Sequence, residues 1–189
     1  MKKERCQIQT FSGALLNILN PTPDSISIID GAHALSQICR FTGHTRVFYS
    51  VAQHSLLVSA LAPEHNARQR LANLFHDFSE YALTDVHTSL KQLLPRYKKI
   101  EHKFMEAVAK RLDLEMEDFE KSKFYDRLAL DIESKALMGP RHSIWNKYKV
   151  TLPKDYDLDY TLLHIDPMMP IEAESKFLEV YNKLWLDRI

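Results

Sequence analysis

Glycine is nearly missing from this chain, at 4 of 189 residues, and long stretches carry neither glycine nor proline. So few breakers, together with extended runs of 3.6-residue hydrophobic periodicity, argue against a sheet-rich fold and predict an all-α one. Cysteine is rarer still, with two residues. Cys6 and Cys39 form no Cys-x-x-Cys pattern, so neither a disulfide scaffold nor a cysteine zinc motif is expected, and both read as reduced thiols. No apolar run approaches the ~20 residues of a membrane span. The opening MKKERCQIQTFSG lacks the apolar core of a signal peptide. A cytoplasmic protein with no membrane partner is therefore expected. Net charge is absent as well: 25 basic and 25 acidic residues cancel, without the basic surplus of a general nucleic-acid binder. What is present, 45% hydrophobic and 26% charged residues over 189 positions, fits a soluble globular chain of one domain.

Along the chain, residues 1–28 read as irregular, with a short extended piece in the alternating SISII. Asp30 is placed to cap a helix over about 31–41. TGHT at 42–45 reads as a turn, and a second helix is expected from Ser50 to Leu61 with Val51, His54, Val58 and Leu61 on one stripe. Pro63 opens a helix expected to run unbroken to Leu83, burying Leu71, Leu74, Phe75 and Phe78. Further helices are expected over about 88–94, 96–112, 116–138 and 170–186, with a less regular, proline-bearing stretch at 140–168. His33, His44, His54, His65, His76 and His87 recur every ten or eleven residues. The turn and Pro63 interrupt any continuous helix, so this spacing reads as coincidence.

Chemistry concentrates in NLFHDFSEYALTD, residues 73–85. His76 and Asp77 are adjacent, which on a helix separates them by about 100° yet lets both reach one ion beside the turn. Two further residues are out of place for their surroundings. His54 lies on an otherwise apolar stripe, where a histidine is more often a satisfied core residue. Asp126 sits among Tyr125, Leu128, Ala129 and Ile132, where a carboxylate needs a partner, either a cation such as Arg127 or a metal. A His, His, Asp, Asp set suits a borderline divalent ion. Glu80, one turn beyond Asp77, and Asp85, beyond the expected helix end, could handle water or protons beside it.

His54 in VAQHSLLVS, His76-Asp77, Asp126 in YDRLAL, and the spacing His76-Asp77-x-x-Glu80-x-x-x-x-Asp85 together resemble the HD-domain metal-dependent phosphohydrolases. Within these the chain is most similar to the 5′-deoxynucleotidase-like branch with its small phage and bacterial members. Residues 20–55 look like the opening of that small group. The resemblance covers roughly 10–138 well and the C-terminal helix loosely. It implies an all-α HD-domain helical bundle with a short irregular N-terminal segment. It makes His54, His76, Asp77 and Asp126 ligands of one divalent ion (Mn, Co, Zn, Fe or Mg), with Glu80 aligning the attacking water and Asp85 donating a proton to the leaving oxygen. Arg40–Phe41 stands where the branch carries an Arg-Trp pair holding the nucleotide, a departure that leaves base and sugar selectivity open. Lys91 follows the Asp85 turn, where a cation could hold phosphate. His87 and His102 lie between His76-Asp77 and Asp126, but their surroundings do not resemble the motifs of binuclear members, which implies one metal.

The implied partner is a nucleotide, and the branch commonly forms homo-oligomers. The leading expectation is release of phosphate from deoxynucleoside monophosphates. The alternatives are release of triphosphate from a dNTP, cleavage of a signalling nucleotide, and a non-enzymatic helical module with a structural metal. The last fits poorly with a donor set that has no cysteine and keeps carboxylates suited to water chemistry.

Overall fold

The computed structural model describes residues 6–140, 142–154 and 156–188. The first five residues of the expected irregular segment lie outside that range. The rest of the segment is more ordered than the sequence suggests. Gln7–Gln9 (β1) and Leu15–Asn17 (β2) pair antiparallel, with Ile8 opposite Leu16. The hairpin turns at Gly13, whose φ of +87° is open to a residue without Cβ. The extended piece expected in SISII is not formed; Pro23–Ser25 is a 3-10 turn and a helix begins at Ile28.

The remainder is all-α: Ile28–Gln37 (α1), Val51–Leu61 (α2), Ala67–Leu74 (α3), Glu80–Leu83 (α4), Thr88–Lys91 (α5), Pro95–Arg111 (α6), Met116–Ala136 (α7) and Pro170–Leu186 (α8). Capping chemistry sets several starts. Ser27, Ser50 and Asn66 each accept a backbone N–H from three residues on, at 3.2, 3.1 and 3.0 Å. The α1 cap is thus Ser27 and not Asp30. Asp30 is buried and fastens the hairpin instead, accepting from the backbone N–H and hydroxyl of Ser12 at 2.8 and 2.9 Å. Pro95 and Pro170 occupy first turns, where the missing N–H costs nothing.

α2 is the centre of the molecule, packed by α1, α3, α7 and α8. Val51, Ala52, Gln53, His54, Ser55, Val58, Ser59 and Leu61 are all buried, so the helix is enclosed nearly all round and its single-stripe pattern is misleading. Gln53 also pins the 164–169 segment, donating to the Asp166 carbonyl at 2.6 Å and accepting from the Met168 N–H at 2.9 Å. One apolar cluster gathers Leu71, Leu74, Phe75, Phe78, Phe104 and Phe177; a smaller one joins Val58 and Leu61 to Leu128, Ala129 and Ile132 of α7. Among the described residues no helix is long and apolar enough to cross a membrane.

The expected helix from Pro63 to Leu83 is broken. α3 stops at Leu74 and α4 starts at Glu80. In the intervening turn the backbone closes three-residue bonds instead, Phe78 N–H to the Phe75 carbonyl and Glu80 N–H to the Asp77 carbonyl, and His76 Nδ1 donates to the Asn73 carbonyl at 2.7 Å. An unbroken α-helix would give that acceptor to the Asp77 N–H. The break frees His76 and Asp77 from their fixed helical angle.

Candidate metal centre

Three elements deliver the four expected ligands: α2 brings His54, the α3–α4 turn brings His76 and Asp77, and α7 brings Asp126. His54, His76 and Asp126 form a compact group, with one donor atom from each lying within 4.8 Å of the others. His54 Nε2 is 3.2 Å from His76 Nε2 and 3.2 Å from Asp126 Oδ1, and His76 Nε2 is 3.8 Å from that oxygen. Asp77 Oδ2 reaches both rings, at 3.1 Å from His76 Nε2 and 3.7 Å from His54 Nε2, and stands 3.6 Å from Arg40 Nη1. The alternative of an Asp126–Arg127 pair is not what forms among the described residues: Arg127 donates to the Lys147 carbonyl at 2.6 Å.

These spacings suit a cation. Ions with bonds of ~2.0–2.2 Å to nitrogen and oxygen hold neighbouring donors roughly 3.0–3.6 Å apart. The tautomers agree. The Asn73 carbonyl can only accept, so His76 carries its proton on Nδ1. His54 Nδ1 meets the buried Glu133 Oε1 at 2.5 Å and donates to it. In the neutral rings both Nε2 atoms therefore present lone pairs, to each other and to carboxylates, with no proton between them. Backing each metal-facing imidazole with a carbonyl or carboxylate is the usual way of fixing ring and tautomer.

The local field demands positive charge. Burial disfavours charged imidazoles, and Arg40 adds to that at His54, yet Glu133 and Asp126 outweigh both and raise the His54 pKa. At His76 burial is likewise overcome, here by Asp77 and Asp126, and its pKa is raised well above the usual range. Burial opposes ionisation of Asp77 and Asp126, but the two histidines hold both carboxyls below the ordinary aspartate range. A divalent ion would supply this charge in place of protons.

The cluster opens into a cavity of about 270 Å³ whose lining includes Arg40, Phe41, Asp77, Glu80, Asp85, Lys91 and Asp126. The expected catalytic and substrate-holding residues are thus brought together. Glu80 is buried; desolvation, aided by Asp77 and Asp85, pushes its pKa well above the usual glutamate value despite Lys91 and Arg40. Its Oε2 has no hydrogen-bond partner among the described residues. Lys91 is less free than the sequence suggests, since it bridges Glu80 Oε1 at 3.3 Å and Glu101 Oε1 at 2.7 Å. Backbone strain brackets the cavity. Phe41 and Thr42 have φ of 54° and 53°. Thr84, next to Asp85, has φ 65° and ψ 155°, a region nearly confined to glycine. Replacing Thr84 with glycine should raise stability by about 1 kcal/mol, measured by urea unfolding; an unchanged or lower midpoint would show that the turn is not strained.

No family model matches the chain. Over 177 residues, 94% of each chain, it is 33% identical to the uncharacterized protein YfdR of Escherichia coli strain K12. The chain belongs to the YfdR family. This YfdR-family chain is also 39% identical over 118 residues to the uncharacterized protein RCAP_rcc00048 of Rhodobacter capsulatus, covering 59% of this chain and 60% of that protein.

Some functional neighbours in this YfdR-family member escape a reading by sequence. Glu133 is fully buried, lies seven residues after Asp126 on the same face of α7, and also takes the Tyr49 hydroxyl at 3.0 Å and Arg40 Nη2 at 3.3 Å. Its i+7 spacing is the available signal. Glu101, which holds Lys91, and Trp145 and Tyr148, which line the cavity, carry no such signal.

Proposed function

We propose that this chain is a metal-dependent nucleotide phosphohydrolase of the HD-domain type, releasing orthophosphate from deoxynucleoside 5′-monophosphates. The observation that carries the reading is the convergence of His54, His76 and Asp126, with Asp77 against both rings, beside a cavity lined in part by Glu80, whose buried Oε2 has no hydrogen-bond partner among the described residues. His54, His76, Asp77 and Asp126 would hold one divalent ion, of Mn, Co, Zn, Fe or Mg. Bound there, such an ion would polarise a phosphoryl oxygen and lower the pKa of water toward neutrality.

The remaining steps belong to the side chains. Glu80, on the cavity wall one turn from Asp77, accepts the proton of the attacking water. Lys91 holds Glu80 by its other oxygen and fixes the direction of that acceptance. Asp85, also on the cavity wall, donates to the leaving oxygen of the sugar. Arg40, braced by Glu133 and Asp77, offsets phosphate charge.

The test is a panel of dNMPs, NMPs and dNTPs with Mn, Co, Mg and Zn, resolving orthophosphate from tripolyphosphate. Orthophosphate from dNMPs is expected, and Glu80→Ala should cut kcat by roughly 10²–10⁴-fold while metal binding persists. Tripolyphosphate from dNTPs would instead establish the triphosphohydrolase reading. Silence of every substrate with every metal, or full activity of Glu80→Ala, would sink the proposal.

A further inference from the structure

Tracing contacts outward from the metal cluster gives an ordered path. Asp77 lies 3.6 Å from Arg40, whose guanidinium sits over the Phe41 ring at 5.3 Å. Phe41 meets Trp145 edge-on, with centroids 6.0 Å apart, and Trp145 lies against Tyr148 at 5.6 Å. The cavity thus grades from carboxylates and cations into three aromatic rings. Trp145 and Tyr148 come from the 3-10 turn Ser143–Tyr148, in the stretch that is least informative in the sequence.

These two rings are not core. Both are half-buried, and neither belongs to either apolar cluster of the fold. Their turn is nonetheless fastened to α7 by the bond from Arg127 to the Lys147 carbonyl, and Lys147 stacks its ammonium on Tyr148 at 4.7 Å. Aromatic faces held in place, but left partly open on a cavity wall, suit a flat π-system.

We propose that Trp145 and Tyr148, with Phe41, form a wall that stacks the nucleobase, while the phosphate faces the His-Asp cluster. Stacking tolerates every base, so the wall selects for a base without choosing among them. This rests on the nucleotide reading above, and the following experiment separates the two.

The protein has two tryptophans, Trp145 and Trp185; Trp185 lies on α8 against Tyr181 and Arg188. In a Trp185→Phe protein the emission reports Trp145 alone. Each of the four dNMPs should quench it saturably, and deoxyribose 5-phosphate should not. Trp145→Ala should raise KM for dNMPs roughly tenfold or more, leave hydrolysis of deoxyribose 5-phosphate unchanged, and be largely rescued by Trp145→Phe. Equal quenching by the base-free phosphate, or a wild-type KM in Trp145→Ala, would overturn the wall. Base-dependent quenching in a protein that hydrolyses no phosphate ester would uphold the wall and refute the hydrolase. Normal hydrolysis without quenching would do the reverse.

Discussion

Glu133→Gln is expected to weaken divalent-metal binding roughly 10–100-fold and to destabilise the protein by about 3 kcal/mol, although residue 133 would touch no metal. The carboxylate is fully buried and accepts from three donors on three different segments: Arg40, Tyr49 and His54. A glutamine offers one oxygen in place of two and turns an NH₂ toward another donor, leaving at least one buried N–H or O–H without a partner. Arg40 would keep Asp77, but at 3.6 Å, and lose its closer carboxylate. Metal affinity falls for a separate reason. Without an anionic acceptor on Nδ1, the His54 proton is free to sit on Nε2, which removes the lone pair a metal requires.

Calorimetric metal titration and urea unfolding in chelator read these two effects separately. Their pH dependence has a definite sign. Burial raises the Glu133 pKa, but Arg40, His54 and Tyr49 outweigh it, so the folded value lies below the ordinary 4.5. Its contribution is therefore complete above pH 4.5 and lost as pH falls through the lower folded value. The stability gap between wild type and Glu133→Gln should close over that acid window. A gap that persists unchanged to lower pH, or a variant with wild-type metal affinity, would show that Glu133 is only a space-filling group.

The contrast between Glu133 and Asp126 shows what the sequence can disclose. Asp126 is conspicuous because a carboxylate interrupts an apolar face. Glu133 lies on the same face two turns later but is followed by Ser134 and Lys135, and it reads locally as a solvated charge. Its partners Arg40 and Tyr49 are more than 80 residues away, and beyond the i+7 spacing no local pattern encodes them. His54 is legible as an outlier, yet the stripe it interrupts is not a true stripe, because α2 is buried on nearly every side. The helix expected from Pro63 to Leu83 fails for a related reason. Its apolar spacing continues through Phe75 and Phe78, so periodicity alone gives one helix. The break consists of tight three-residue backbone bonds through 75–81 together with a side-chain bond, His76 to the Asn73 carbonyl, that competes with the backbone ladder. Helix ends carried by serine, asparagine or proline fall within a few residues of where the sequence puts them. Trp145 and Tyr148 lie in a segment with no periodicity at all.

Gly31→Ala tests how firmly that broken segment is held, and a loss of about 3 kcal/mol is expected. On propensity alone the substitution should help, since glycine inside a helix costs about 1 kcal/mol relative to alanine. Packing reverses the sign. A methyl group on Gly31 would overlap Cζ, Cε1 and Cε2 of Phe78. That ring has little room to retreat: it is fully buried, with Phe75 at 4.6 Å, Tyr81 at 5.1 Å and Phe177 at 6.2 Å between centroids. The backbone must give way instead, and Phe78 stands between Asp77 and Glu80 in sequence. Movement there shifts Asp77 and Glu80 together, so under the proposed function metal affinity and hydrolysis should fall along with stability. The decisive measurement is a double-mutant cycle with Phe78→Leu, which shortens the opposing side chain. If the clash is the cause, the two substitutions will be strongly non-additive, with Gly31→Ala costing far less in the Phe78→Leu background. Simple additivity, or a stabilised Gly31→Ala protein, would mean that α1 and the α3–α4 turn are packed loosely enough to absorb the methyl, and that the site is not held rigid from this side.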